Sequence, residues 1–521
     1  MTNEKRAALF ILSVGTSAAC VGLACMAQTL HFPDGTGGAG GGVGSTPDCP
    51  AEMDWLTVGT PVNLTEPPPH PASECGFYQA AFRYFLAATQ PPAGGGDPAL
   101  ASYATIDDTF TRAQPLTAAA LAPAGMHRGT GQRAWLGYLK QPGPDSILID
   151  QSGHAVYYGI HLDAGFVAFV HTQGLQTAPA VQNADPNLAL TPGVGAFRSA
   201  WIDIDPADGV SGDFSRFITT EAWVSSLHAS AATGTISEDR DHPRQIRVAL
   251  IALDVAFGLP GHPERVWATF QHVGADGSSD VAPVATSNPV PLAPNAPSDV
   301  SMLLYHGGMA ANLSDTPYSE SQLQLDEAAQ RFAQTTSVYR MFPASSSATT
   351  LEREEVTRLN NNVAALFQGP AAADPRGAYR LMGAMWMDKP SYFGVDEPLQ
   401  NDLTSPFVTG DHVDQDGKSV GPVQPSVFTD SIVIDGSDSP YSILGGQDRL
   451  SNPAIESFTQ APGNFNNCFS CHNTQAVSTG GVPAPRDVRP TLLAPKLLNM
   501  SRVFSQFLLE ECGPSAICPV P

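Results

Sequence analysis

Short apolar runs dominate the middle of the chain, and turn-forming Gly, Pro and Asp residues separate them. The runs cover residues 146–150, 155–163, 165–171, 196–205, 216–224, 245–257 and 265–273. Runs of this length, rich in Val, Ile, Phe, Tyr and Trp, are typical of β-strands. Their close spacing predicts an antiparallel sandwich or barrel-like domain at the centre of the chain.

Helical periodicity flanks this β-rich centre on both sides. Residues 75–89 carry aromatic side chains near helical spacing and precede Pro91 and Pro92, which cannot continue a helix. Further helices are predicted at residues 321–334, 350–367 and 495–509. The fold class expected from these patterns is α+β, with helices around a β-rich body and a short helical segment at the C-terminal end.

The first 27 residues have the layout of a secretory signal. Lys5 and Arg6 precede an apolar run that ends at Cys25-Met26-Ala27, the expected cleavage site, and a polar, Gly-rich stretch follows. This pattern predicts export to the periplasm or cell surface, with removal of the signal and no membrane span remaining afterwards. A retained anchor is one alternative, and a lipid anchor on Cys20 or Cys25 is another.

The remaining chain divides by composition. Residues 28–48 form a Gly-rich linker, residues 49–430 the β-rich body with its helices, and residues 431–521 a segment that we expect to pack on that body. The formal net charge of −24 argues against nucleic acid and anionic membranes as partners. A soluble redox partner that docks by charge would therefore present a basic surface.

Outside the signal the chain has six cysteines, and two of them lie in a motif of their own. Cys468 and Cys471 are followed at once by His472. The spacing fits covalent attachment of one haem c, with thioethers to both cysteines and His472 as the proximal axial ligand of the iron. Half of a zinc site, a redox-active cysteine pair and a plain disulfide are the other interpretations.

The other four cysteines allow three pairings. Local pairing, Cys49 with Cys75 and Cys512 with Cys518, is the simplest of these in an oxidising compartment. The alternative is that these cysteines remain as thiols.

The motif and its surroundings resemble c-type cytochromes. More narrowly, residues 148–161, 266–273 and 467–473 resemble stretches of an uncharacterised family of exported bacterial proteins with a large β-rich body and one C-terminal haem motif. The resemblance extends in scattered blocks from about residue 77 to residue 507. It implies an architecture and one covalent haem c, but no reaction.

The residue opposite His472 on the iron would decide the chemistry. Met500, on the predicted C-terminal helix, is the first candidate for the distal ligand, and His272 at the end of a predicted strand is the alternative. Two protein ligands would favour electron transfer. An open iron would instead indicate a haem oxidoreductase, of the peroxidase or oxygenase type. A third interpretation is a ligand-binding module in which the haem is structural or serves as a sensor.

Overall fold

A computed structural model gives the fold of the body and of parts of the C-terminal segment. It describes residues 49–57, 74–92, 95–111, 134–140, 147–230, 233–284, 298–308, 322–340, 350–387, 411–413, 419–422, 444–447, 450, 452–455, 468, 472, 477–478, 491–494 and 496–512. The predicted signal and linker lie outside these residues, as do Cys471 and Cys518.

The described residues form both helices and strands. The α-helices are α1 (Cys75–Thr89), α2 (Ile106–Thr109), α3 (Ala164–Thr172), α4 (Ala178–Gln182), α5 (Thr350–Leu366) and α6 (Arg502–Cys512). Short 3-10 helices cover Met53–Leu56, Ala99–Ser102, Pro206–Asp208, Gly369–Ala371, Pro375–Ala378 and Leu497–Met500. The strands are β1 (Ala134–Leu136), β2 (Tyr157–Leu162), β3 (Gly195–Asp203), β4 (Thr219–Ala229), β5 (Ile236–Leu259), β6 (His262–His272), β7 (Leu325–Asp326), β8 (Arg331–Phe332), β9 (Tyr379–Met387), β10 (Asp411–Val413), β11 (Ser419–Pro422), β12 (Leu444–Gly446), β13 (Val477–Ser478) and β14 (Thr491–Leu493).

The 24-residue strand β5 organises the main sheet. It pairs antiparallel with β3, β4 and β6; β9 and β12 extend the sheet beyond β6, β1 lies parallel to β4, and β2 pairs with β3. The result is a large, nearly closed, barrel-like sheet with flanking helices, which confirms the α+β fold class. Residues 248–253 are all buried because hydrophobic clusters cover both faces of the sheet there.

Helix α1 covers one face of the sheet, as its aromatic spacing predicts. Phe85 stacks on Phe270 of β6 with ring centroids 4.4 Å apart, and Phe82 meets the same ring edge-on at 5.1 Å. Cys75 begins this helix and forms the disulfide with Cys49 that local pairing predicts, with the two Cα atoms 5.6 Å apart. The second predicted disulfide involves Cys518, which lies outside the described residues.

Residues 165–171 form helix α3, so the prediction of a strand there was wrong. The Asp163 carboxylate accepts a hydrogen bond from the Phe166 N–H at 2.7 Å and caps the helix. Phe166, Phe169 and Val170 are buried at helical spacing, and Gly174 ends the helix region with a φ of 65°. The cap and the spacing outweigh the strand preference of Val and Phe.

Residues 321–334 contain a β-hairpin, so the helix predicted there was also wrong. The Asp326 side chain accepts hydrogen bonds from the backbone N–H groups of Ala328 and Ala329, and Gln330 has a φ of 51°. Gln330 then bonds through its side chain to the backbone of Leu227 on β4. These local and long-range bonds give the backbone an alternative to the helix.

No helix among the described residues is long and apolar enough to cross a membrane.

The turn at Asp150 should make stability depend on pH. Its Oδ1 accepts hydrogen bonds from the backbone N–H groups of Ser152 and His154, and burial raises the pKa of this carboxyl to about 7. The folded protein then retains a proton that the unfolded chain loses, so the free energy of unfolding falls as pH rises from about 4 to about 7.

Asp150→Asn keeps the Oδ1 acceptor and removes the charge. We expect it to lessen this fall in stability, leaving the variant about 1–3 kcal/mol more stable than the parent at pH 8. Urea unfolding at pH 5 and pH 8 measures the effect, with Asp213→Asn as the exposed control. Parallel pH profiles for Asp150→Asn and the parent would contradict the prediction.

Candidate haem site

Cys468 and His472 lie on one helical turn. The His472 backbone N–H donates to the Cys468 carbonyl oxygen at 2.7 Å, the four-residue separation of an α-helical hydrogen bond. Both residues are partly buried. A cysteine and a histidine so related can project from the same side of the turn, as attachment and ligation of one haem require.

A backbone carbonyl orients the imidazole of His472. Its Nδ1 lies 3.0 Å from the carbonyl oxygen of Met500, so the ring donates through Nδ1 and carries its lone pair on Nε2. Burial, followed by the charge of Arg502, lowers the pKa of His472 to about 3. The ring is therefore neutral at physiological pH, with Nε2 in the form that binds a metal.

Trp267 of β6 packs against the same imidazole. The ring centroids of Trp267 and His472 are 3.9 Å apart, with the planes tilted by 35°. The indole Nε1 donates to the Glu264 carbonyl oxygen at 3.2 Å, which fixes the indole on its strand. The sheet thus supplies one wall of the His472 environment.

Arg265, two residues before Trp267, is a buried cation beside this wall. Its side chain is 1% exposed, and its guanidinium carbon lies 6.0 Å from the centroid of the Trp267 ring. Nη2 donates to the carbonyl oxygens of Val194 (3.0 Å) and Ala256. Nε and Nη1 have no hydrogen-bond partner among the described residues, and burial lowers the pKa of the guanidinium to about 10.

The C-terminal residues do not form the single helix predicted over 495–509. A 3-10 helix, Leu497–Met500, precedes α6, and Ser501 between them is extended. Helix α6 is anchored by Phe507, which stacks on Phe110 with centroids 4.4 Å apart. The break at Ser501 turns the backbone, and the Met500 carbonyl then faces His472 instead of bonding within a continuous helix.

Met500 itself is 1% exposed, and its carbonyl lies at the Nδ1 edge of His472. The Nε2 atom, which would bind the iron, is on the opposite edge of the ring. The Met500 backbone therefore lies on the Nδ1 side of His472. The geometry therefore favours a role for its carbonyl in holding the histidine.

His272 lies far from His472 and is held by other partners. Its Nδ1 is 2.7 Å from the Asp280 carboxylate, and its Nε2 is 3.2 Å from the Arg216 carbonyl oxygen. It follows Trp267 by five residues on the same strand, about 16 Å along an extended chain. The structure does not bring this candidate ligand to the site.

The strand register brings another methionine to the face of Trp267. Met385 of β9 is directly paired with Trp267 of β6, and paired residues of neighbouring strands point to the same face. Met385 is fully buried. The sequence alone does not single out Met385, because no local signal reveals its cross-strand partner.

Among the described residues no cluster of three or more His, Cys, Asp or Glu side chains could hold a metal ion. No protein-family model matches the chain, and comparisons with curated proteins and with solved structures find no match either.

Proposed function

We propose that the protein is an exported monohaem c-type cytochrome that transfers electrons. The observation that carries the proposal is the fixed imidazole of His472 within one helical turn of Cys468, with Nδ1 on the Met500 carbonyl. A proximal haem histidine needs this kind of outer partner, because the hydrogen bond fixes both the tautomer and the ring orientation.

The residues around His472 fit a haem. Cys468 and Cys471 would form the thioethers, His472 would bind the iron, and Trp267 would support the imidazole from the side. A bound haem c supplies a one-electron couple whose potential depends on its axial ligands and on burial. The protein's own contribution is to hold His472 neutral and immobile.

In this proposal the distal ligand is Met385, in place of the Met500 that the sequence suggested. Met385 is buried on the face that carries Trp267, whereas the Met500 backbone occupies the Nδ1 side of His472. A thioether in this position would raise the reduction potential and suit an electron carrier.

Export and a basic redox partner belong to the same proposal. The Cys49–Cys75 disulfide supports an oxidising compartment, where haem attachment also takes place. The net charge of −24 would attract a partner with a basic docking surface.

A haem oxidoreductase with an open iron is the second candidate. It is favoured by the positions of Met500 and His272, neither of which lies where a distal ligand would be. A cavity of about 390 Å³ is also lined by residues that include Lys140, Arg198 of β3 and Gln506 of α6, and α6 carries Arg502 one turn before Gln506. Such a cavity could admit a small substrate.

Optical spectra distinguish the two candidates. We expect the mature protein to be low-spin in both oxidation states, to bind CO slowly and to undergo reversible one-electron reduction, because both axial positions are filled by side chains. A high-spin spectrum with immediate CO binding would contradict the electron-carrier proposal and support the haem oxidoreductase.

Two methionine variants identify the ligand. Met385→Leu should open the iron to CO and lower the reduction potential, whereas Met500→Leu should leave the spectrum unchanged because its carbonyl remains. A low-spin spectrum that survives Met385→Leu but is lost in Met500→Leu would restore Met500 as the distal ligand.

A further inference from the structure

We propose that Arg265 binds a propionate group of the haem, and this inference rests on the proposed function. The observation behind it is a fully buried guanidinium beside the wall of the His472 site, with donors that the described residues do not use.

The backbone at Arg265 supports a functional role. Its φ is 73°, in the left-handed region that non-glycine residues rarely adopt, and such a conformation costs about 1–3 kcal/mol. This conformation follows directly on Glu264 and precedes Val266, which points into the core cluster under α1. Holding a large cation inside the protein at this cost is more readily explained by a ligand than by packing.

Because Arg265 is buried, its positive charge needs an acidic partner. A buried cation without a hydrogen-bonded anion is strongly destabilising. Asp163 is the acidic group whose charge acts on Arg265, but its two oxygens already accept backbone N–H groups of Phe166 and Gly195. Burial raises the pKa of Asp163 to about 6, so this carboxyl loses its negative charge as the pH falls below that value.

A carboxylate that approaches Arg265 from the His472 side would provide this acidic partner. Arg265 contacts the Trp267 ring, and Trp267 contacts the His472 ring, so the guanidinium lies one aromatic side chain away from the proximal ligand. Haem c carries two propionates on one edge of its porphyrin. The Nε–H and Nη1–H groups of Arg265 are the donors left for one of them, in a charge-assisted hydrogen bond.

The first test uses the complete holoprotein. Arg265→Gln should shift the propionate bending band in resonance Raman spectra, and Arg265→Lys should shift it less because a cation remains. Arg340→Gln is the matched control, since Arg340 is 3% exposed and its buried Nε has no hydrogen-bond partner within the part of the chain that the structure describes. An unchanged band in Arg265→Gln, or in Arg265→Met if the glutamine variant does not fold, overturns the proposal.

A second test measures the carboxylate itself. In a Cys468→Ala/Cys471→Ala background, ferric haem should bind about 10–100-fold more tightly than haem dimethyl ester, the range expected for a charged hydrogen bond. Adding Arg265→Gln should reduce this preference to about threefold or less, and adding Arg340→Gln should not. A preference that persists in the Arg265→Gln background overturns the inference.

The two proposals fail in different ways. If the native chain carries no covalent haem, the proposed function and the inference fall together. If haem is attached but Arg265 does not distinguish acid from ester, the inference alone falls. Acetate added to the wild-type holoprotein should leave the Raman band unchanged. A shift that requires Arg265 would instead assign the residue to a free carboxylate and overturn the propionate assignment.

Discussion

The double variant Cys468→Ala/Cys471→Ala is expected to lose all of its covalently bound haem. The wild-type protein should keep one haem per chain through denaturing electrophoresis, because two thioether bonds survive unfolding. Without the two sulfur atoms no such bond can form, and the peroxidase-active stain should disappear. Pyridine haemochrome absorbance and the intact mass measure the same loss independently.

The matched control is Cys512→Ala/Cys518→Ala, which removes two cysteines from the same C-terminal segment. This variant should keep the full stain and the full mass of the haem. If the stain survived in Cys468→Ala/Cys471→Ala, the assignment of the motif would be wrong. Wild-type protein matured in a competent host but free of haem would favour a disulfide or redox-active pair at Cys468 and Cys471.

Phe270→Ala is expected to produce a large loss of stability. The side chain is fully buried on β6 and contacts Phe82 and Phe85 of α1 and the sheet residues around it. Truncation removes these contacts and leaves a cavity between α1 and the sheet. The expected decrease in the free energy of unfolding is about 3–5 kcal/mol.

Urea unfolding measures this decrease, with the dependence of the free energy of unfolding on urea concentration equal in the variant and the parent. Val300→Ala is the control, because Val300 is 65% exposed and an exposed substitution should change stability by no more than about 0.5 kcal/mol. A loss below about 1.5 kcal/mol for Phe270→Ala would mean that α1 repacks to fill the space. The described packing of α1 would then not be rigid.

Features encoded within a few residues were determined by the sequence alone. Helix α1 follows from aromatic side chains at helical spacing before a Pro-Pro pair, and helix α5 from its apolar stripe. Most of the strands of the main sheet were predicted for the same reason, since alternation and turn residues act locally. The motif from Cys468 to His472 is equally local, because the thioether attachment and iron ligation that we propose for it would need only one helical turn.

Competing local signals explain the elements that were predicted wrongly. Residues 165–171 combine strand-forming side chains with the Asp163 cap, and the cap with buried helical spacing prevails. Residues 321–334 have helical spacing, but Gln330 is fixed by the backbone of β4 far away in sequence. A bond to a distant strand cannot be read from the segment that makes it.

The surroundings of His472 were decided only by the tertiary structure. The Met500 carbonyl reaches Nδ1 because the chain breaks between two helical turns, and the indole of Trp267 arrives from a strand about two hundred residues earlier. His272 shares that strand, yet its distance from Trp267 and its contact with Asp280 remove it from the site. The sequence alone predicts the residues that would bind the proposed haem. The register of β6 with β9 and the packing of the C-terminal segment decide which side chains surround His472, because those contacts join residues that are remote along the chain.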